Sequence, residues 1–132
     1  EAAPLVMVVD DSEITRGLLD DVLSGQGYRV REAANGEEAL GLVEGELPDL
    51  FLVDLEMPKM DGFELLKRLR EGERTRNIAS IVFSSRDSVE DKQRCYDLGA
   101  DAYLVKSEFR EDEMIEQVAS RLPATHGGDR SA

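Results

Sequence analysis

The sequence predicts an α/β domain, a doubly wound, five-stranded parallel sheet of (βα)5 type. Two observations predict it. Short apolar runs alternate with amphipathic segments from one end of the 132-residue chain to the other. Several of those runs are nearly continuous in Val, Ile, Leu and Phe, the pattern of strands covered on both faces. Five such alternations in succession imply a parallel sheet with right-handed crossovers and helices on both faces.

The elements follow in order. Leu5–Val9 (LVMVV) is the first strand. An apolar stripe of Ile14, Leu18, Val22 and Leu23 marks a helix over 12–25, closed by Gly25 and Gly27. The second strand is expected over 28–33. Asn35 followed three residues later by Glu38 reads as a helix cap, with Ala39, Leu40 and Val43 as the buried face. Leu50–Val53 is the third strand, and Phe63, Leu66 and Leu69 mark the helix after Asp61-Gly62. A fourth strand over 80–83 leads to a helix over 88–98 with thin apolar content: Val89, Cys95 and Leu98. Ala102–Val105 is the last strand, and Met114, Ile115, Val118 and Leu122 carry the last helix. One domain over 5–122 is expected, with 123–132 as a flexible tail outside it.

Composition narrows the function. There are 16 Lys and Arg against 29 Asp and Glu, for a net charge of −13. That balance argues against nucleic acid or an anionic membrane surface as direct partner, since both select for clustered positive charge. The single cysteine, Cys95, excludes an internal disulfide framework and suits a reducing, cytoplasmic setting. No apolar run approaches the roughly 20 residues of a membrane span, and no signal-peptide pattern opens the chain. The first residue is Glu1 rather than Met, which leads us to expect a fragment of a longer chain.

In sheets of this kind, ligands collect beyond the carboxyl ends of the strands, where the strand order switches direction. The residues that follow each strand are therefore informative. Asp10 and Asp11 follow the first, Asp54 the third, Ser84 and Ser85 the fourth, and Lys106 the fifth. Each has an ordinary reading: Asp10 and Asp11 as helix caps, Ser84 as a turn residue, Lys106 as a solvated strand end. Their joint arrival at one sheet edge favours a shared pocket. Three adjacent carboxylates call for a cation, and Mg²⁺ prefers oxygen ligands. A carboxylate beside that ion can act as nucleophile toward a phosphoryl group, with Lys106 as a second positive charge and Ser84 as a hydroxyl donor.

These residues carry a resemblance. V-V-D-D-S at 8–12, L-V-D-L-E-M-P-K-M-D-G at 52–62, F-S-S at 83–85 and G-A-D-A-Y-L-V-K at 99–106 resemble the receiver domain of two-component response regulators, of the chemotaxis-regulator type. The resemblance implies a flavodoxin-like sheet of strand order 2-1-3-4-5 and phosphorylation of Asp54 by a histidine kinase. It implies Mg²⁺ held by Asp10, Asp11, Asp54 and the backbone carbonyl of Glu56. It also implies that Lys106 is the phosphoryl partner, Ser84 the switch hydroxyl and Tyr103 the switch aromatic, although Tyr103 also reads as a plain edge-strand aromatic. Output to a downstream protein would pass through the face made by the fourth helix, fifth strand and fifth helix. The resemblance further implies that Glu56 and Arg86 occupy positions that tune loss of the phosphoryl group, and they are expected either to pair across the pocket mouth or to form a plain surface ion pair.

One departure matters. Ser107 follows Lys106 where the family usually has proline, so the usual path of the next loop cannot be assumed. K-S-E-F at 106–109 is similar to receivers fused to the C-terminus of chemotaxis-type histidine kinases, which makes a hybrid-kinase fragment in chemotaxis or motility control the expected context. Two rival readings stand beside this one. The first is a receiver-like interaction module that works without phosphorylation. The second is a Mg²⁺-dependent phosphatase or phosphotransferase using an aspartyl phosphate. A dinucleotide-binding domain is disfavoured because no G-x-G-x-x-G follows the first strand. Kinase activity within this segment is disfavoured too, since the only histidine is His126.

Overall fold

The computed structural model describes residues 3–122; the expected tail at 123–132, with His126, lies outside the described residues. Five strands, β1 (Leu5–Val9), β2 (Arg29–Ala33), β3 (Leu50–Val53), β4 (Ala79–Ser84) and β5 (Ala102–Val105), form one parallel sheet in the order β2-β1-β3-β4-β5. The helices are α1 (Glu13–Ser24), α2 (Gly36–Val43), α3 (Gly62–Glu71), α4 (Val89–Asp97) and α5 (Glu111–Ala119). This is the doubly wound order, with its switch point between β1 and β3.

Residues of one strand alternate between the two faces, and two cores result. Val6 and Val8 join Leu50, Leu52, Ile81 and Phe83 under α1 (Leu19, Leu23) and α5 (Met114, Val118). Met7 and Val9 join Phe51 and Val53 under α2 (Ala39, Val43) and α3 (Leu65, Leu69). A smaller cluster of Leu55, Phe63, Leu66, Val82, Cys95 and Ala100 seats α4 beside α3. Both faces of β1 and β3 are covered, which accounts for their unbroken apolar runs.

Four helices begin with a side-chain cap. Ser12, Asn35, Asp61 and Ser88 accept from the backbone N–H groups of Thr15, Glu38, Glu64 and Asp91. The cap expected at Asn35 is present, and Glu38 reaches back to accept from Ala34 N–H at 2.7 Å.

One expectation needs correction, and another is sharpened. The buried stripe of α1 is Leu19, Val22 and Leu23, whereas Ile14 is 87% exposed and Leu18 43%. Leu18 and Leu19 are adjacent apolar residues, so periodicity alone leaves the helix phase open by about 100°; the sheet takes Leu19. In α4, Val89 stands 78% exposed and Cys95 alone is fully buried.

Candidate functional site

Asp10 closes β1 with its N–H bonded to Ala33 O at 3.0 Å, and Asp54 closes β3 with its N–H bonded to Val9 O at 2.9 Å. The ladder thus delivers two carboxylates side by side at the switch point. Asp10 is 2% exposed and Asp54 5%. Asp11, the next residue on the β1–α1 turn, is exposed. One oxygen from each of the three lies within 4.8 Å of the others. Lys106, at the end of β5, spans the pair: Nζ is 2.8 Å from Asp10 Oδ2 and 3.6 Å from Asp54 Oδ2.

The charges respond accordingly. Burial, then the negative charge of Asp10, pushes the Asp54 carboxyl up to about 6; Lys106 and the backbone N–H groups of Glu56 and Leu55 offset only part of that. Burial pulls the Lys106 ammonium down, but its hydrogen bond to Asp10 and the charges of Asp54 and Asp10 outweigh this and leave it above its ordinary value.

Ser84, the last residue of β4, is fully buried, and its Oγ accepts from Arg86 N–H at 3.1 Å. Tyr103 stands on the edge strand β5, half-buried. Its ring packs against the cluster containing Phe63 and Cys95, and its hydroxyl donates to Arg86 O at 2.6 Å. The backbone of Arg86 therefore links Ser84 to Tyr103. The Arg86 guanidinium reaches Glu56 Oε2 at 3.3 Å, an ion pair between two exposed side chains. It also binds Asp91 of α4 at 2.9 Å, a partner that sequence reasoning missed. The signal available was the sign alternation of Arg86 and Asp91 around the Ser88 cap.

The β3–α3 loop is held tightly beneath the pocket. Gly62 N–H donates to Leu55 O at 3.0 Å, and a Cβ on Gly62 would meet the Asp54 carbonyl oxygen and come within 2.7 Å of Leu55 Cα. Lys59, in the same loop, adopts a left-handed φ of 67°, an uncommon backbone for a non-glycine residue next to a site. After Lys106 the chain forms a single 3-10 turn, Lys106–Glu108, with trans peptides throughout the described residues. Ser107 is thus accommodated in a short helical turn, and Phe109 beyond it packs on Phe83 with ring centroids 5.7 Å apart.

A doubly wound α/β domain with a carboxylate triad and a lysine at its switch point is the class these features define. Comparison with known proteins gives the family: residues 6–119 match the response regulator receiver domain, and the chain belongs to that family. It is 44% identical over 117 residues to a gliding motility regulatory protein of Myxococcus xanthus, covering 89% of this chain and 15% of that relative. The chain thus spans a small part of that relative's length. Among solved structures it is similar to the chemotaxis protein CheY4 of Vibrio cholerae (TM-score 0.85, 31% identity, 92% and 100% of the two chains). It is also similar to a chain of the CheX–CheY–BeF3–Mg²⁺ complex of Borrelia burgdorferi (TM-score 0.83, 28% identity, 90% and 89%).

Proposed function

We propose that this domain accepts a phosphoryl group on Asp54 from a phosphorylated histidine of a kinase, with Mg²⁺ as cofactor, and passes the signal to a protein partner. The observation that carries the reading is the convergence of Asp10, Asp11, Asp54 and Lys106 at one sheet edge.

The donor set fits a hard divalent cation. It offers three carboxylates, two of them buried, and Lys106 alone leaves Asp54 destabilised as an anion. Asp10, Asp11, Asp54 and the Glu56 carbonyl would hold the ion, which when bound neutralises charge on the pocket and on phosphoryl oxygens. A carboxylate oxygen of Asp54 forms the new bond to phosphorus as the bond to the imidazole nitrogen breaks. The electron pair of that bond leaves with the imidazole, and Asp54 becomes an acyl phosphate. Lys106 Nζ, between the two aspartates, turns to the incoming phosphoryl oxygens as a point charge.

Ser84 Oγ donates to a phosphoryl oxygen in the phosphorylated state. Its shift displaces Arg86, whose carbonyl receives the Tyr103 hydroxyl, so pocket occupancy biases the packing of α4 and β5. The Tyr103 hydroxyl already donates to Arg86 O, and phosphorylation reinforces that contact. Glu56 and Arg86 cover the mouth and slow hydrolysis of the acyl phosphate. The output surface is the face of α4, β5 and α5, where Val89 and Tyr96 stand exposed. Relatives named for gliding motility and chemotaxis support a role in motility control; the resemblance of K-S-E-F at 106–109 to kinase-fused receivers supports placement in the cytoplasm within a longer protein of hybrid-kinase type.

The test is incubation with acetyl phosphate, with and without Mg²⁺, followed by intact mass. Wild type should gain one phosphoryl group only with Mg²⁺, and Asp54→Asn should gain none. Modification that persists in Asp54→Asn would remove Asp54 from the role.

A further inference from the structure

Asp10 is fixed at every polar atom. Its N–H donates to Ala33 O, its Oδ1 accepts from Ser12 N–H at 2.9 Å, and its Oδ2 meets Lys106. The remaining atom, the backbone carbonyl oxygen, accepts from Arg16 Nη1 at 2.8 Å. The same guanidinium donates through Nε to Glu32 Oε1 at 3.0 Å. Arg16 lies one turn into α1 and Glu32 lies on β2, so one planar fork ties the β1–α1 turn to the neighbouring strand. The Arg16 side chain is 17% exposed, which places the fork inside the surface layer.

We propose that Arg16, oriented by Glu32, is a positioning residue for the carboxylates of Asp10 and Asp11. This rests on the reading of that pair as metal ligands. The argument is geometric. The turn carrying Asp10 and Asp11 has to hold two like charges close to Asp54, and their mutual repulsion pushes the turn outward. Hydrogen bonds to a ligating residue fix its direction, and loss of such outer partners typically weakens metal affinity roughly 10–100-fold. A lysine at position 16 has the charge but not the fork, and cannot reach two acceptors at fixed angles.

The sign of the effect separates positioning from simple electrostatics. Arg16 is a cation near a cation site, so removing its charge alone would raise Mg²⁺ affinity. Removing a positioning contact would lower it.

The experiment is calorimetric titration of the 132-residue chain with Mg²⁺ at constant ionic strength, for wild type, Arg16→Met and Arg16→Lys. Thermal melting would check that each is folded. Both variants should bind about 10-fold more weakly than wild type, and the metal-free amide resonances of Asp10, Asp11 and Ser12 should shift in both. Unchanged or tighter binding by Arg16→Met, or wild-type affinity in Arg16→Lys, would overturn the positioning role while leaving the phosphoacceptor reading intact. A wild type that binds no Mg²⁺ would instead overturn the metal reading on which this inference rests.

Discussion

Asp54 sits where burial and function oppose each other. Its carboxyl titrates at about 6 in the folded chain against 3.8 in the ordinary state. Between those values the folded state binds more protons than the unfolded one, so this group's contribution to stability falls as pH rises through that window. Above it, the ionised Asp54 costs about 3 kcal/mol relative to an unperturbed carboxylate. We therefore expect metal-free Asp54→Asn to be more stable than wild type at pH 7, by about 1–3 kcal/mol. Urea melts should show the gap narrowing toward pH 4 and closing with saturating Mg²⁺. A gap that stays constant across pH and metal would mean that the substitution acts through packing rather than charge. The same residue shows what the sequence could reveal. An aspartate closing a buried apolar strand is visible in the string, and so are its companions at the other strand ends. The Arg16–Glu32 fork is not, because its members lie 16 positions apart and meet only through the pairing of β1 with β2.

At the level of elements, strands were more legible than helix faces. β1 and β3 match their expected bounds because strands covered on both sides need no phase: every residue is buried. Helix α1 needs a phase, and its sequence ITRGLLDDVLS offers two apolar stripes. Ile14 and Leu18 extend the row from Val22 at four-residue spacing, so the string favours them over Leu19. The sheet selects the other, since Leu19 and Leu23 reach Val6 and Val8 while Ile14 faces outward near the pocket turn. This gives a sharp contrast. Leu19→Ala should cost about 2–5 kcal/mol, the range for truncating a fully buried leucine. Ile14→Ser should change stability by no more than about 0.5 kcal/mol, as for surface sites away from special contacts. Comparable losses at both positions in denaturant melts would contradict the packing described for α1. The thin apolar content of α4 makes it a thinly anchored helix: Cys95 is its only fully buried side chain, and the Arg86–Asp91 pair holds its first turn from outside. That exposed pair is worth little to stability, which suits the shift of α4 proposed above.

For the whole molecule the dominant fact is charge. A net charge of −13 on 132 residues repels itself over the whole surface, and three carboxylates converge at the switch point. Two kinds of cation relieve this differently. Monovalent salt screens every exposed pair alike, with a Debye length near 10 Å at about 0.1 M. A divalent ion bound by the folded pocket and not by the unfolded chain adds RT ln(1 + [L]/Kd), about 2.7 kcal/mol at a hundredfold excess over Kd. At equal ionic strength, Mg²⁺ should therefore raise Tm above the NaCl value, by roughly 5–15 °C for a domain of this size. Asp10→Asn should abolish most of that difference while leaving the NaCl response nearly unchanged, because screening acts on the many exposed charges, whereas buried Asp10 is one of the three carboxylates proposed to hold the ion. Equal Tm values in the two salts would mean that the carboxylates are stabilised only by screening and by Lys106. The metal-assisted reading of the pocket would then fall, even though the fold and family stand.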